Sequence, residues 1–185
     1  MGSRQRCPWA TKEVFHDYHD REWGTEVHDD RTHFEFLVLE GAQAGLSWET
    51  VLKKREAYRA AFANFESAVV AKMPSSVIDK LMLDVGLIRN RAKLTSVLIN
   101  AKLFLEIQKE FGSFDTYIWQ FVGNIPIVYR PAAPGEYHTH NEASDALSKD
   151  LKKRGFKFVG TTIMYAHLQA TGLVDEHHKN CFRAL

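Results

Sequence analysis

The chain has 185 residues, with 24 Lys+Arg against 23 Asp+Glu, 45% hydrophobic residues and 25% charged residues. That length suits one domain of the usual roughly 100–200 residues, and the composition excludes a disordered chain. A net charge of +1 excludes a uniformly basic nucleic-acid coat, so any nucleic-acid site has to be a local patch. No apolar run approaches the roughly 18 residues that cross a bilayer, and Met1–Val14 has no apolar signal core. A cytoplasmic protein without membrane association is therefore expected.

In chain order, helical periodicity prevails and strand-like alternation is scarce. A helix is expected over 31–44, with Phe34, Leu37, Val38 and Gly41 on one face. A second is expected over 47–62, carrying Val51, Leu52, Tyr58 and Phe62. Ser76 and Asp79 read as a capping box opening a helix with Val77, Ile78, Leu81 and Met82, stopped by Gly86. The longest helix is expected over 89–111, with Leu94, Leu98, Ala101, Leu105 and Ile107 inward and Gly112 as its stop. A short aromatic helix follows over 114–122. Residues 124–140, with Pro126, Pro131, Pro134 and Gly135, read as a long loop. Helix resumes with Ser144 as N-cap, turns at Gly155 to Gly160, and continues through 161–172 and 173–181. The fold class expected is all-α: one helical domain over 1–185, bilobal at most about the Pro-rich loop.

Three features could carry chemistry. Cys7 is followed by His16 and His19, and His177-His178-x-x-Cys181 stands at the other end. On a helix His177 and Cys181 share one face, and two thiolates with two imidazoles suit tetrahedral zinc; two buried spectator cysteines are the alternative. Second, Glu40 follows the apolar run Phe36–Leu39 near Trp9, Phe15, Tyr18, Trp23 and Trp48. An acid there is either a paired structural group or one held in a pocket. An aromatic set with one acid suits a flat, electron-poor or cationic ligand, and a plain core is the alternative. Leu46, past a helix-ending glycine, is an inserting wedge or a core residue. Third, Lys149, Lys152, Lys153, Arg154 and Lys157 surround the Gly155–Gly160 hairpin. Helix, hairpin, helix is the outline of a helix-hairpin-helix DNA-binding element over about 144–172. There Gly160 and Thr161 open a helix N-terminus to a phosphate. Arg89, Arg91 and Lys93 form a second basic run for the same groove, and His138 and His140 read as solvated.

The segments Tyr18–Gly24 (YHDREWG), Leu39–Glu56 (LEGAQAGLSWETVLKKRE) and Asp145–His177 resemble the 3-methyladenine DNA glycosylase I family. The likeness spans Cys7 to Cys181. It implies a helical fold of the helix-hairpin-helix glycosylase superfamily and a structural zinc ion on Cys7, His19, His177 and Cys181, leaving His16 and His178 outside. It implies a damaged-base pocket of Trp9, Phe15, Tyr18, Glu40 and Trp48, with Glu40 and Tyr18 carrying recognition and catalysis. Phe15 stands where the family commonly has Tyr. Gln43 and Leu46 resemble the residues that fill the gap left by a flipped nucleotide, and Lys153, Lys157, Gly160 and Thr161 would grip the backbone. The wider superfamily's catalytic Asp is absent from this family; Asp175 lies in that region. The implied activity is monofunctional excision of 3-methyladenine from double-stranded alkylated DNA, with free base and an abasic site as products and a monomer acting. A non-catalytic, zinc-clipped DNA-binding module is the rival reading, and a metal hydrolase a third; four zinc ligands disfavour the last.

Overall fold

The computed structural model describes residues 5–184; residues 1–4, part of the segment read for a signal core, and residue 185 lie outside them. Ten helices and one small sheet order the described chain. The first helix, α1 (His16–Arg21), follows a 3-10 turn at Glu13–Phe15. The second, α2 (Asp30–Gln43), starts on Asp29, whose side chain accepts from Thr32 N. Ten of its 14 residues are buried, because it runs through the middle of the molecule rather than along its surface.

The expected helix over 47–62 is two, α3 (Trp48–Leu52) and α4 (Arg55–Ala61). The chain tightens between them, where Lys54 N bonds Val51 O at 2.9 Å and Lys54 Nζ reaches Val85 O at 2.7 Å. After α5 (Ser67–Val70) comes α6 (Val77–Leu81). The Ser76 capping box does not form: Ser76 has helical angles, φ −62° and ψ −20°, not the extended backbone a capping side chain needs. Nor does Gly86 end this helix; it sits in the following turn, held by Asp84 Oδ1 at 2.7 Å.

The longest helix, α7 (Arg91–Phe111), starts on the side chain of Asn90 and stops at Gly112, φ 88°. It is followed by α8 (Phe114–Trp119) and a 3-10 turn through Val122. The Pro-rich loop contributes β1 (Ile127–Val128), which pairs in parallel with β2 (Val174–Asp175), Ile127 opposite Val174. This pairing overturns both the purely loop-like reading of 124–140 and the helical reading of the tail. With 174–175 extended, the chain from Glu176 onward forms turns.

The next helix, α9 (Glu142–Arg154), is capped by Asn141, with Ser144 at the third helical position completing the box. Ser144 is therefore not the N-cap. Gly155, φ 100°, ends α9, and α10 (Thr161–Ala170) starts after Gly160. One large core joins α2, α7, α8, α9 and α10, with Phe104 and Phe114 stacked at 4.2 Å. A smaller cluster gathers Cys7, Tyr18, Trp23, Phe36, Ala170 and Cys181 where the two ends of the chain meet. No helix among the described residues is long and apolar enough to cross a membrane.

Candidate active site

Between the N-terminal segment, α2, α3 and α10 lies a pocket of about 530 Å³, within the range of small-ligand sites. The N-terminal segment supplies Trp9, Tyr18 and Trp23, α2 supplies Glu40 and Gln43, and α3 supplies Trp48. The rings form a continuous wall: Trp9 meets Trp23 at 5.0 Å and Tyr18 at 6.2 Å, and Tyr18 meets Trp48 at 5.2 Å. Phe15 does not line this pocket; it packs edge-on behind Trp9 at 6.0 Å. The opposite wall, absent from the expected set, comes from Pro134, Tyr137 and His138 of the long loop and from Ala166 and Gln169 of α10.

Two buried acids on α2 show opposite treatment. Glu35 accepts from Arg55 Nε at 2.6 Å and from Arg59 Nε at 3.0 Å. Glu40, five residues on and 3% exposed, has no hydrogen-bond partner among the described residues. Burial alone pushes its carboxyl up to about 8. No hydrogen bond joins Tyr18 to Glu40 among the described residues. Burial first, and then the Glu40 charge, push the Tyr18 phenol well above its ordinary value, so its hydroxyl stays protonated. The buried indole N–H of Trp48 is likewise without a partner. One acid, one indole donor and an aromatic wall are thus left for a ligand.

Glu176 explains why the loop wall holds its place. It is fully buried and accepts from Tyr165 OH at 3.0 Å, Gln169 Nε2 at 2.6 Å and His138 N at 3.0 Å. His138 Nδ1 is also 2.5 Å from it. His138 is therefore exposed as expected but not without a partner, whereas His140 is exposed and meets Asp145 at 3.3 Å.

Beside the pocket, Cys7, His19, His177 and Cys181 converge, all buried, each offering one ligand atom within 4.8 Å of the others. They do so through turns rather than along one helix. Gly24 permits the approach: at φ 72° it passes His177 so closely that an added Cβ would meet Cε1 at 2.5 Å. His177 Nδ1 lies 2.6 Å from Asp175 Oδ1, and His19 Nδ1 lies 2.8 Å from Asp20 Oδ1. Asp175 is held by Arg130 at 2.7 Å and Asp20 by Arg6 at 2.7 Å. Each carboxylate turns its histidine so that Nε2 faces the cysteines, and His177 Nε2 is buried with no protein partner. The donor set and its outer carboxylates fit a tetrahedral cation of the zinc type. Asp175 is explained by His177 and Arg130, and it does not line the pocket. His16 and His178 stay outside the quartet; His178 Nε2 bonds Ala132 O at 3.0 Å.

The first turn of α10 adjoins the pocket, Thr162 and Ile163 sharing a recess with Glu40, Gln43 and Leu46. Gly160 precedes α10 without any side-chain cap, so the first amides of α10 are open. Thr161 Oγ1 hydrogen-bonds Asp145. Two earlier hairpin amides are already used: Phe156 N donates to Leu151 O, and Lys157 N to Asn100 Oδ1 at 2.9 Å. Lys149, Lys152, Lys153 and Lys157 are exposed, but Arg154 is engaged by Asp150 and Glu110, both at 2.6 Å. Of the second basic run, Arg89 is exposed and lines a recess with Leu46, Arg91 pairs with Asp79 at 2.8 Å, and Lys93 is not on the surface but buried. Leu46 stands 42% exposed after Gly45, φ 73°, beside Gln43 at the pocket's edge.

The family model described as methyladenine glycosylase matches residues 9–184. DNA-3-methyladenine glycosylase of Haemophilus influenzae is 49% identical over 95% of this chain and 96% of its own. The crystal structure of a 3-methyladenine DNA glycosylase I superposes with a TM-score of 0.94 at 45% identity, covering 98% of this chain and 100% of the other. A single-residue variant of such an enzyme, solved in complex with 3-methyladenine, superposes with a TM-score of 0.92 at 37% identity, covering 96% of both chains.

Proposed function

The chain belongs to the methyladenine glycosylase family, and from that premise we propose how its pocket serves a DNA repair glycosylase acting on 3-methyladenine. Excision hydrolyses the N-glycosidic bond of the alkylated nucleotide and releases the free base. The observation that carries the residue assignment is Glu40: a buried, unpartnered carboxyl in an aromatic pocket, one helical stretch from a buried acid that is fully paired.

Methylation at N3 gives adenine a positive charge, so the base leaves as a neutral molecule and needs no protonation. The enzyme's task is to take it out of the duplex and hold it. Tyr18 and Trp48 supply ring faces that favour a cation over neutral adenine. Glu40 accepts from the exocyclic amine and complements the charge, while the Trp48 N–H offers a donor. An arriving cation favours the ionised form of Glu40, which burial alone disfavours. Water then attacks the sugar carbon as the bond to the base breaks, and the electron pair goes to the departing base. Trp9 backs this wall, and Phe15 supports Trp9 from behind.

Leu46 and Gln43 fill the space of the extruded base. Lys153 and Lys157, with the open amides at Gly160 and Thr161, grip phosphates as a helix-hairpin-helix element, without reading sequence. Zinc on Cys7, His19, His177 and Cys181 would tie the chain ends beside the pocket; with four protein ligands it would be structural. A monomer in the cytoplasm goes with this reading. Release of free 3-methyladenine from methylated duplex DNA by the purified protein tests it; DNA binding without release is the outcome the non-catalytic module requires.

A further inference from the structure

Lys93, the third cation of the second basic run, is turned away from solvent. Its ammonium lies 2.8 Å from Ala42 O and 2.6 Å from Ala44 O, at the C-terminal end of α2. Helix carbonyls there have no amide partner within the helix, and a cation at that end also meets the favourable end of the helix dipole. Two other carbonyls of this stretch are served by backbone: Gly41 O by Ala44 N at 3.4 Å and Gln43 O by Leu46 N at 2.6 Å. Lys93 serves the two between and beyond them.

These four bonds define the turn from Gln43 to Leu46. Nothing lies within 4 Å of where a Gly45 Cβ would stand, so the turn is open above and fastened from below. Burying a lysine is costly unless its donors are met, and a lysine that only served DNA would gain nothing by facing inward. We propose that Lys93 is a positioning residue for DNA work: its ammonium holds the Gln43–Leu46 turn in the shape that penetrates the duplex, without touching DNA or base. The inference rests on the wedge reading of Leu46.

The test compares excision from duplex and from single-stranded methylated DNA, with free 3-methyladenine affinity and melting temperature measured on the same preparations. Lys93→Met keeps the aliphatic stem and removes the ammonium. It should lower the duplex-to-single-strand ratio about tenfold, as loss of a charged hydrogen bond implies, and leave free-base affinity unchanged. Lys93→Arg should restore part of the ratio. In a Leu46→Ala background Lys93→Met should cause no further loss, because its effect runs through the turn. If Lys93→Met does not fold, Lys93→Gln takes its place in the same cycle. A lowered melting temperature with an unchanged ratio would overturn the inference alone. An unchanged ratio in Leu46→Ala would overturn the wedge reading, and this inference with it.

Discussion

His177 Nδ1 lies 2.6 Å from Asp175 Oδ1, which leaves its buried Nε2 facing Cys7, His19 and Cys181 with no protein partner. Purified protein should therefore contain one zinc ion per chain, measured by elemental analysis after preparation without chelators. Asp175→Asn should keep excision chemistry available while weakening zinc retention about ten- to a hundredfold, as loss of an outer carboxylate does elsewhere. Protein with clearly less than one zinc would count against the assignment.

The hairpin is braced by Asn100, whose amide bonds both the N–H and the C=O of Lys157 at 2.9 and 3.0 Å. Lys153→Glu should weaken DNA binding alike on all sequences and reduce the slope of log affinity against log salt by about one or more. Asn100→Ala should weaken binding without a comparable change in salt slope, since it removes no charge. Fluorescence anisotropy across a salt series separates the two. A sequence-dependent loss in Lys153→Glu would contradict backbone contact.

His167 is fully buried, both ring nitrogens lack partners among the described residues, and the His33 ring stacks on it at 5.7 Å. Burial, with His33 adding to it, holds His167 well below its ordinary value. The folded state then binds fewer protons than the unfolded one. The stability is fully present above the unfolded value of about 6.5 and falls as pH drops below it. Melting temperature should decline from about pH 7.5 to about pH 5.5, and His167→Leu should make that decline shallower. An equal decline in both proteins would assign the acid sensitivity elsewhere.

Much of this architecture could be read from residue pattern. Gly112 and Gly155 stop helices where expected, and the cysteine–histidine pairs at the two ends do meet. What escaped depends on long-range partners. Glu176, buried beneath the loop, makes Tyr137 and His138 into a pocket wall, and nothing local to those residues signals it. Phe15 has the right neighbours in sequence, yet Trp9 stands between it and the pocket. Lys93 follows two exposed arginines, so charge pattern places it outside, whereas the free carbonyls of α2, about 50 residues away, draw it in. The strand pair 127–128 with 174–175 is too short for alternation to show.

The Glu40 carboxyl, pushed up to about 8 by burial, gives excision a pH signature. A cationic base is best met by the carboxylate, so excision should rise as pH increases through about 8 in the wild type. The same group makes the opposite contribution to stability. Its raised value means the folded state holds the proton longer, so its contribution is fully present below about pH 4.5 and is lost as pH rises through about 8. Rate and melting temperature should therefore move in opposite directions across this window, and Glu40→Gln should abolish both trends.

The most direct measurement is excision of 3-methyladenine from methylated duplex DNA by wild type and Glu40→Gln at one pH, with melting temperature and free-base affinity from the same preparations. The substitution keeps shape and a carbonyl acceptor and removes the charge. Loss of a charge-assisted hydrogen bond, about 1.5–3 kcal/mol, should reduce excision roughly ten- to a hundredfold and weaken free-base binding, with zinc content held and melting temperature no lower than the wild type's. Unchanged excision and base affinity with a lowered melting temperature would show Glu40 to be a structural acid and contradict its role in recognising the damaged base.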